Sequence, residues 1–244
     1  MNVFVIGDSH THAIKHALKY CKGVIADHVL GEAYRYARPK NGKVIGDLSE
    51  DQVHERVSAL DPQDLIVSTI GGNQHQTLAL VQHPTPFDLC MPGENCESGA
   101  GDTVVIPYAQ MWDVLERGLR GKDGQRLCQL RKVARCRVVH LVPPPPKEDA
   151  AHILKRHETN FVEAGILEKG ISPARLRLKM WRIQTAVLEA LAREWDIGLL
   201  PPPEETLTAD GYLDPAYYAD DATHANAAYG DRVLRQIERL VAAA

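Results

Sequence analysis

The chain has 244 residues, 44% of them hydrophobic and 25% charged, with a formal net charge of -4. That length can bury a sizeable core without crosslinks and fits one large α/β domain over residues 1–244. The balanced charge lacks the basic block that marks nucleic-acid or anionic-membrane binders, and no run approaches the roughly twenty apolar residues of a membrane span.

Met1 to Ile6 is an apolar, β-branched run that reads as a buried strand, followed at once by Gly7-Asp8-Ser9-His10. Ile14, Ala17, Leu18 and Cys21 then recur at helical spacing, so residues 11–21 are expected as helix. A serine thus stands at a strand-to-helix turn, where open α/β sheets gather their chemistry and where the helix N-terminus favours negative charge. With the strand starting at residue 2 or 3, no room is left for a secretory signal, and a cytoplasmic location is expected.

Val24 to Leu30 reads as a strand and 31–42 as a loop. Lys43-Val44-Ile45 leads to Gly46-Asp47, and Ser49 is placed to cap a helix carrying Val53, Val57 and Leu60. Leu65 to Ile70 is a second buried strand, ending in Gly71-Gly72-Asn73. Residues 76–108, rich in Pro and Gly, read as a long insertion near the active edge. Helix returns at 109–120. Arg137 to Val142 is a strand closed by four prolines at 143–146, and the charge run from Lys147 reads as a solvated helix face. Leu176, Met180, Ile183, Val187 and Leu191 trace one stripe of a long helix over 173–195. Ile197 to Leu200 is a last short strand. Asp221-Ala222-Thr223-His224 precedes a closing helix that Asn226 can cap. Alternating strands and helices imply a three-layer α/β/α fold with a mostly parallel sheet of about five strands.

The five cysteines form no Cys-x-x-Cys pair, so free thiols are expected, although Cys90 and Cys96 are close enough in sequence to reach each other. No cofactor and no metal ligand set is expected. A serine hydroxyl becomes a nucleophile when a base reaches it and a third group orients that base. Asp221 and His224 are spaced for such a pair, and Ser9, Gly46 and Asn73 could donate to an oxyanion.

In order and spacing, Gly7-Asp8-Ser9, Ile45-Gly46-Asp47, Gly71-Gly72-Asn73-Gln74 and Asp221-Ala222-Thr223-His224 resemble the blocks of the SGNH/GDSL hydrolases. The resemblance implies the flavodoxin-like SGNH fold, with Ser9 as nucleophile, His224 as base, Asp221 as its orienter, and Gly46 and Asn73 in the oxyanion hole. Gly31 is the alternative oxyanion glycine; Gly46 is preferred because a capped helix follows it. The implied function is a serine hydrolase cleaving carboxylic esters or thioesters, O-acetyl groups on carbohydrate included. An acyltransferase using the same triad, or a non-catalytic binding protein on this fold, are the alternatives. The chain departs from the family pattern at Gln74, where Asp is usual, and at His10, where Leu is usual. The longer segments at 76–108 and 147–196 suit a lid or a contact between copies of the chain. His10, His12 and His16 are expected on a helix surface or pocket wall, and His75 either at substrate or in solvent.

Overall fold

The computed structural model describes residues 1–40, 42–94, 103–157 and 159–243. Its main sheet has six strands: β1 (Asn2–Gly7), β2 (Val24–Ala26), β3 (Val29–Arg35), β6 (Leu65–Thr69), β9 (Arg137–Leu141) and β10 (Gly198–Leu200). Two short pairs lie outside it, β4 (Arg38–Lys40) with β5 (Lys43–Ile45) and β7 (Phe87–Cys90) with β8 (Val104–Pro107). The sheet order is β10-β9-β6-β1-β3-β2, parallel throughout except for the edge hairpin β2–β3. Counting only the parallel strands, this is the 2-1-3-4-5 order of the flavodoxin-like doubly wound sheet. Its switch point falls between β1 and β6, where a crevice opens at the carboxyl ends.

Side chains of a strand alternate between faces, and β1 uses both. Val3 and Val5 join Ala13, Ile14 and Ala17 of α1 (Thr11–Tyr20) and Tyr229, Val233 and Ile237 of α10 (Ala227–Ala242) in one core. Phe4 and Ile6 face α2 (Glu50–Ser58) and α5 (Lys122–Val133) in a second. A third cluster joins α3 (Gln74–Ala79), α4 (Tyr108–Leu119) and α9 (Ala174–Glu194) beside β7. The short helices α6 (Ala150–Lys155), α7 (Thr159–Glu163) and α8 (Ile166–Lys169) fill the connection before α9. Ser49 and Gln52 form a reciprocal capping box on α2, and Asn226 caps α10 by accepting from Ala228 and Tyr229 N–H. Among the described residues, no helix is long and apolar enough to cross a membrane.

Several expectations need correction. The 24–30 strand is a hairpin turning at His28 (φ 63), and β3 runs on to Arg35 through the expected loop. Its alternation of buried Val29, Gly31 and Ala33 with exposed Leu30 and Glu32 reads as irregular because the small buried residues carry little hydrophobic signal. Helix α5 carries little periodic signal in the sequence, since only Gly124, Leu127 and Leu130 of its twelve residues are buried. Cys90 is disulfide-bonded, while Cys21, Cys128 and Cys136 are free. A tight turn closed by Glu94 N–H to the Met91 carbonyl (3.0 Å) reverses the chain just after Cys90. Cys96 lies outside the described residues.

Candidate active site

The rim at the carboxyl ends of β1 and β6 is stitched together by short polar contacts. Asp8 Oδ2 accepts Gly71 N–H at 2.8 Å, and the Thr11 and Thr69 hydroxyls meet at 2.6 Å. These bonds clamp the Ser9 turn to the Asn73 loop. Ser9 sits one residue ahead of the α1 N-cap, which is His10, so its hydroxyl is not consumed in capping. No hydrogen bond joins Ser9 Oγ to another described residue within 3.5 Å, that to His224 included. Apo sites commonly hold such pairs loosely and tighten them on substrate.

The other end of the chain supplies the imidazole. Asp221 divides its carboxylate: Oδ1 accepts the backbone N–H of Thr223 (3.0 Å) and His224 (2.8 Å), and Oδ2 lies 2.9 Å from His224 Nδ1. A carboxylate only accepts, so Nδ1 carries a proton toward Asp221, which turns the other ring nitrogen, Nε2, to the side where a general base is needed. Burial alone would raise the Asp221 pKa, but the hydrogen bond and charge of His224, with help from Lys147, hold it well below the ordinary carboxylate range. The His224 ring lies 5.2 Å from that of His10, the residue after Ser9, and His10 Nε2 is 2.6 Å from Asn73 Oδ1. Ser9, Asn73, Asp221 and His224 thus converge on one rim through His10. Helices α1 and α10 hold this meeting: a Cβ on Gly230 would lie 2.1 Å from the Ala13 carbonyl oxygen, so the two backbones approach closely only because position 230 is glycine.

Gly46 reaches the rim by a different route. Its φ is +110° and a Cβ there would meet the Tyr36 carbonyl oxygen at 2.3 Å, a conformation and a space that only glycine accepts. Asp47 N–H donates to the Arg35 carbonyl (2.8 Å), and Tyr36 N–H donates to the Gly7 carbonyl (2.9 Å), which sets the Gly46 loop beside the end of β1. Lys15 of α1 pairs with Asp47 at 2.6 Å. Gly31 lies early in β3 opposite Val3, and its N–H donates to the Gly23 carbonyl (2.7 Å), so it is not at the rim.

Three residues support the rim in ways that the sequence reading did not anticipate. Gln184, fully buried on α9, donates to the Gly72 carbonyl (2.5 Å) and accepts from the His75 backbone N–H (2.8 Å). A glutamine inside an otherwise apolar stripe was the available signal. Lys147 is 2% exposed, against the expected solvated face; its Nζ donates to the Ala219 and Asp221 carbonyls and lies 3.7 Å from Asp221 Oδ1. His75 is buried rather than in solvent, with Nδ1 3.0 Å from the Gly72 carbonyl, and burial pushes its pKa down to about 4. The Gln74 Oε1 is buried with no hydrogen-bond partner among the described residues, so the Asn73 loop is held by Asp8 and Gln184 instead. An apolar cavity of about 20 Å³ lies behind the rim, bounded by His10, Ile14, Leu141, Pro143 and Tyr229. Among the described residues, no three His, Cys, Asp or Glu side chains are grouped to hold a metal ion.

No family model matches the sequence, and no curated protein is significantly similar to it. Solved structures are similar over nearly the whole chain. A carbohydrate acetylesterase family member from Sinorhizobium meliloti aligns over 100% of both chains with a TM-score of 0.51 at 13% identity. The carbohydrate acetylesterase Est24 of the same organism aligns over 99% of this chain and 98% of its own, at 0.50 and 11%. An extracellular lipase from Streptomyces rimosus aligns over 99% of both, at 0.50 and 13%. The chain has the SGNH/GDSL hydrolase fold. The SGNH sheet here has six strands, one more than the sequence reading expected, because the hairpin adds β2 at the edge.

Proposed function

We propose that the protein is a serine hydrolase cleaving carboxylic esters or thioesters through an acyl-enzyme. The observation that carries this reading is the Asp221–His224 pair at 2.9 Å, with its imidazole 5.2 Å from the ring of the residue that follows Ser9. In this reading a carboxylate-oriented imidazole from one end of the chain acts on a hydroxyl from the other.

In this reading Ser9 Oγ bonds to the substrate carbonyl carbon as its proton passes to His224 Nε2. The carbonyl π electrons move onto oxygen, and that oxyanion accepts from the backbone N–H of Ser9 and Gly46 and from Asn73 Nδ2. One such donor is typically worth about 3–4 kcal/mol of barrier. Collapse breaks the bond to the alcohol or thiol, which leaves with the His224 proton. Water then adds to the acyl-enzyme, gives its proton to His224, and the acid departs as Ser9 regains that proton. Asp221 stays ionised throughout and stabilises the imidazolium. The cavity beside His10 is small, which favours short acyl groups in this reading. Likeness in fold to carbohydrate acetylesterases makes acetylated sugars the first natural substrate class to assay.

The test is Ser9→Ala. Turnover of p-nitrophenyl acetate should vanish while circular dichroism and thermal midpoint stay at wild-type values. Turnover that persists in that variant overturns the assignment.

A further inference from the structure

We propose that His10 is a positioning residue that aims the Asn73 carboxamide at the oxyanion. The proposal rests on the serine-hydrolase reading. Asn73 holds its backbone by accepting from Gln76 and Thr77 N–H (3.1 and 3.0 Å), but those bonds leave its side chain free to rotate. The one described partner of the carboxamide is His10, whose Nε2 is 2.6 Å from Asn73 Oδ1. A carbonyl oxygen only accepts, so the His10 ring donates through Nε2–H. With Oδ1 fixed on that side, the Nδ2 hydrogens are turned away from His10 and toward the space over the Ser9 turn. Drawing density toward Oδ1 also makes the amide a stronger donor.

Two features keep His10 suited to this. Burial, and then the neighbouring His224, push its pKa down to about 3, so the ring remains neutral at working pH. When His224 takes up the serine proton, a neutral ring 5.2 Å away adds no second positive charge to the rim. The helix fixes the ring as well: His10 is the N-cap of α1 with helical backbone angles, packed over Ala13 and Ile14 at the mouth of the cavity.

The experiment is a double-substitution cycle read by steady-state kinetics on p-nitrophenyl acetate. His10→Leu keeps the bulk and removes the donor; kcat should fall about 10–100-fold, toward the loss of one oxyanion donor, with KM within about twofold of wild type. His10→Gln, which can still present an N–H to Oδ1, should recover most of that loss. In an Asn73→Ala background, His10→Leu should cost nothing further, because its effect passes through Asn73. Equal losses in both backgrounds, or a Gln variant no better than Leu, overturn the proposal. A kcat that rises on removing His10 would mean that Nδ2, not Oδ1, faces it, and also overturns it. Fluorophosphonate labelling separates the two levels: additive losses in a chain that labels at Ser9 sink only the His10 role, whereas a wild-type chain that never labels at Ser9 sinks the hydrolase reading with it.

Discussion

Gln184→Leu is the substitution that best separates a helix that merely fills the core from one that holds the candidate active-site rim. Leucine matches the volume and keeps the apolar stripe of α9 continuous, so a purely hydrophobic account expects no loss. The structure expects otherwise. The His75 backbone N–H loses its 2.8 Å acceptor in a site with no solvent access, whereas the Gly72 carbonyl keeps the His75 Nδ1 donor at 3.0 Å. One orphaned buried donor costs about 1–3 kcal/mol. For a chain of this size each kcal/mol moves the thermal midpoint by about 2–4 °C, so a drop of roughly 2–12 °C is expected by scanning calorimetry. Because the same residues carry Asn73, kcat should fall as well, up to the 10²–10³-fold that loss of an oxyanion donor costs. A variant with wild-type midpoint and wild-type kcat refutes the reasoning, since it would mean that Gln184 holds nothing the site depends on.

Gly230→Ala places a Cβ 2.1 Å from the Ala13 carbonyl oxygen, forcing α1 and α10 apart at a cost of about 1–3 kcal/mol. The thermal midpoint and p-nitrophenyl acetate turnover should fall together, and an unchanged midpoint would contradict the close-approach argument. Stability should also decline in acid. His75 and His140 are buried and neutral, each with its pKa pushed down to about 4, so the unfolded chain binds protons that the folded one does not once pH drops below the ordinary histidine value. Their contribution is complete above about pH 6.5 and is lost as pH falls toward 4, amounting to about 3 kcal/mol for each at the acid end. Because the His10 pKa is pushed down in the same way, urea midpoints measured from pH 7 to 4.5 should fall with a slope that His140→Gln reduces by about a third; a flat profile would refute the burial argument.

The sequence made the rim legible because its chemistry sits in short local blocks. Gly7-Asp8-Ser9 ends a strand, Gly71-Gly72-Asn73 ends another, and Asp221 and His224 are three residues apart, so each could be read without knowing what folds against it. The supports were not legible for the opposite reason. Gln184 meets Gly72 and His75 from 112 and 109 residues away, and Lys147 meets Asp221 from 74. A lysine opening a charge run looks solvated until the Ala219 and Asp221 carbonyls are seen to take up its ammonium. Helix α5 was missed because its buried face is two leucines wide, and β3 was cut short because glycine and alanine pack well yet signal weakly. His75 was ambiguous for want of its partner, Gln184. Gly46 and Gly31 could not be separated by spacing alone; the hydrogen bond of Gly31 to Gly23 inside the sheet decides the matter of which one lies near the rim.

The most direct test of the central claim, that a serine from the start of the chain is activated by a histidine from its end, is covalent labelling by a fluorophosphonate followed by peptide mass spectrometry. The account predicts a single adduct on Ser9 in the wild-type protein, none in Ser9→Ala, and a labelling rate at least about a hundredfold lower in His224→Ala. An adduct on another residue, or a Ser9 adduct that forms at the same rate without His224, would contradict it.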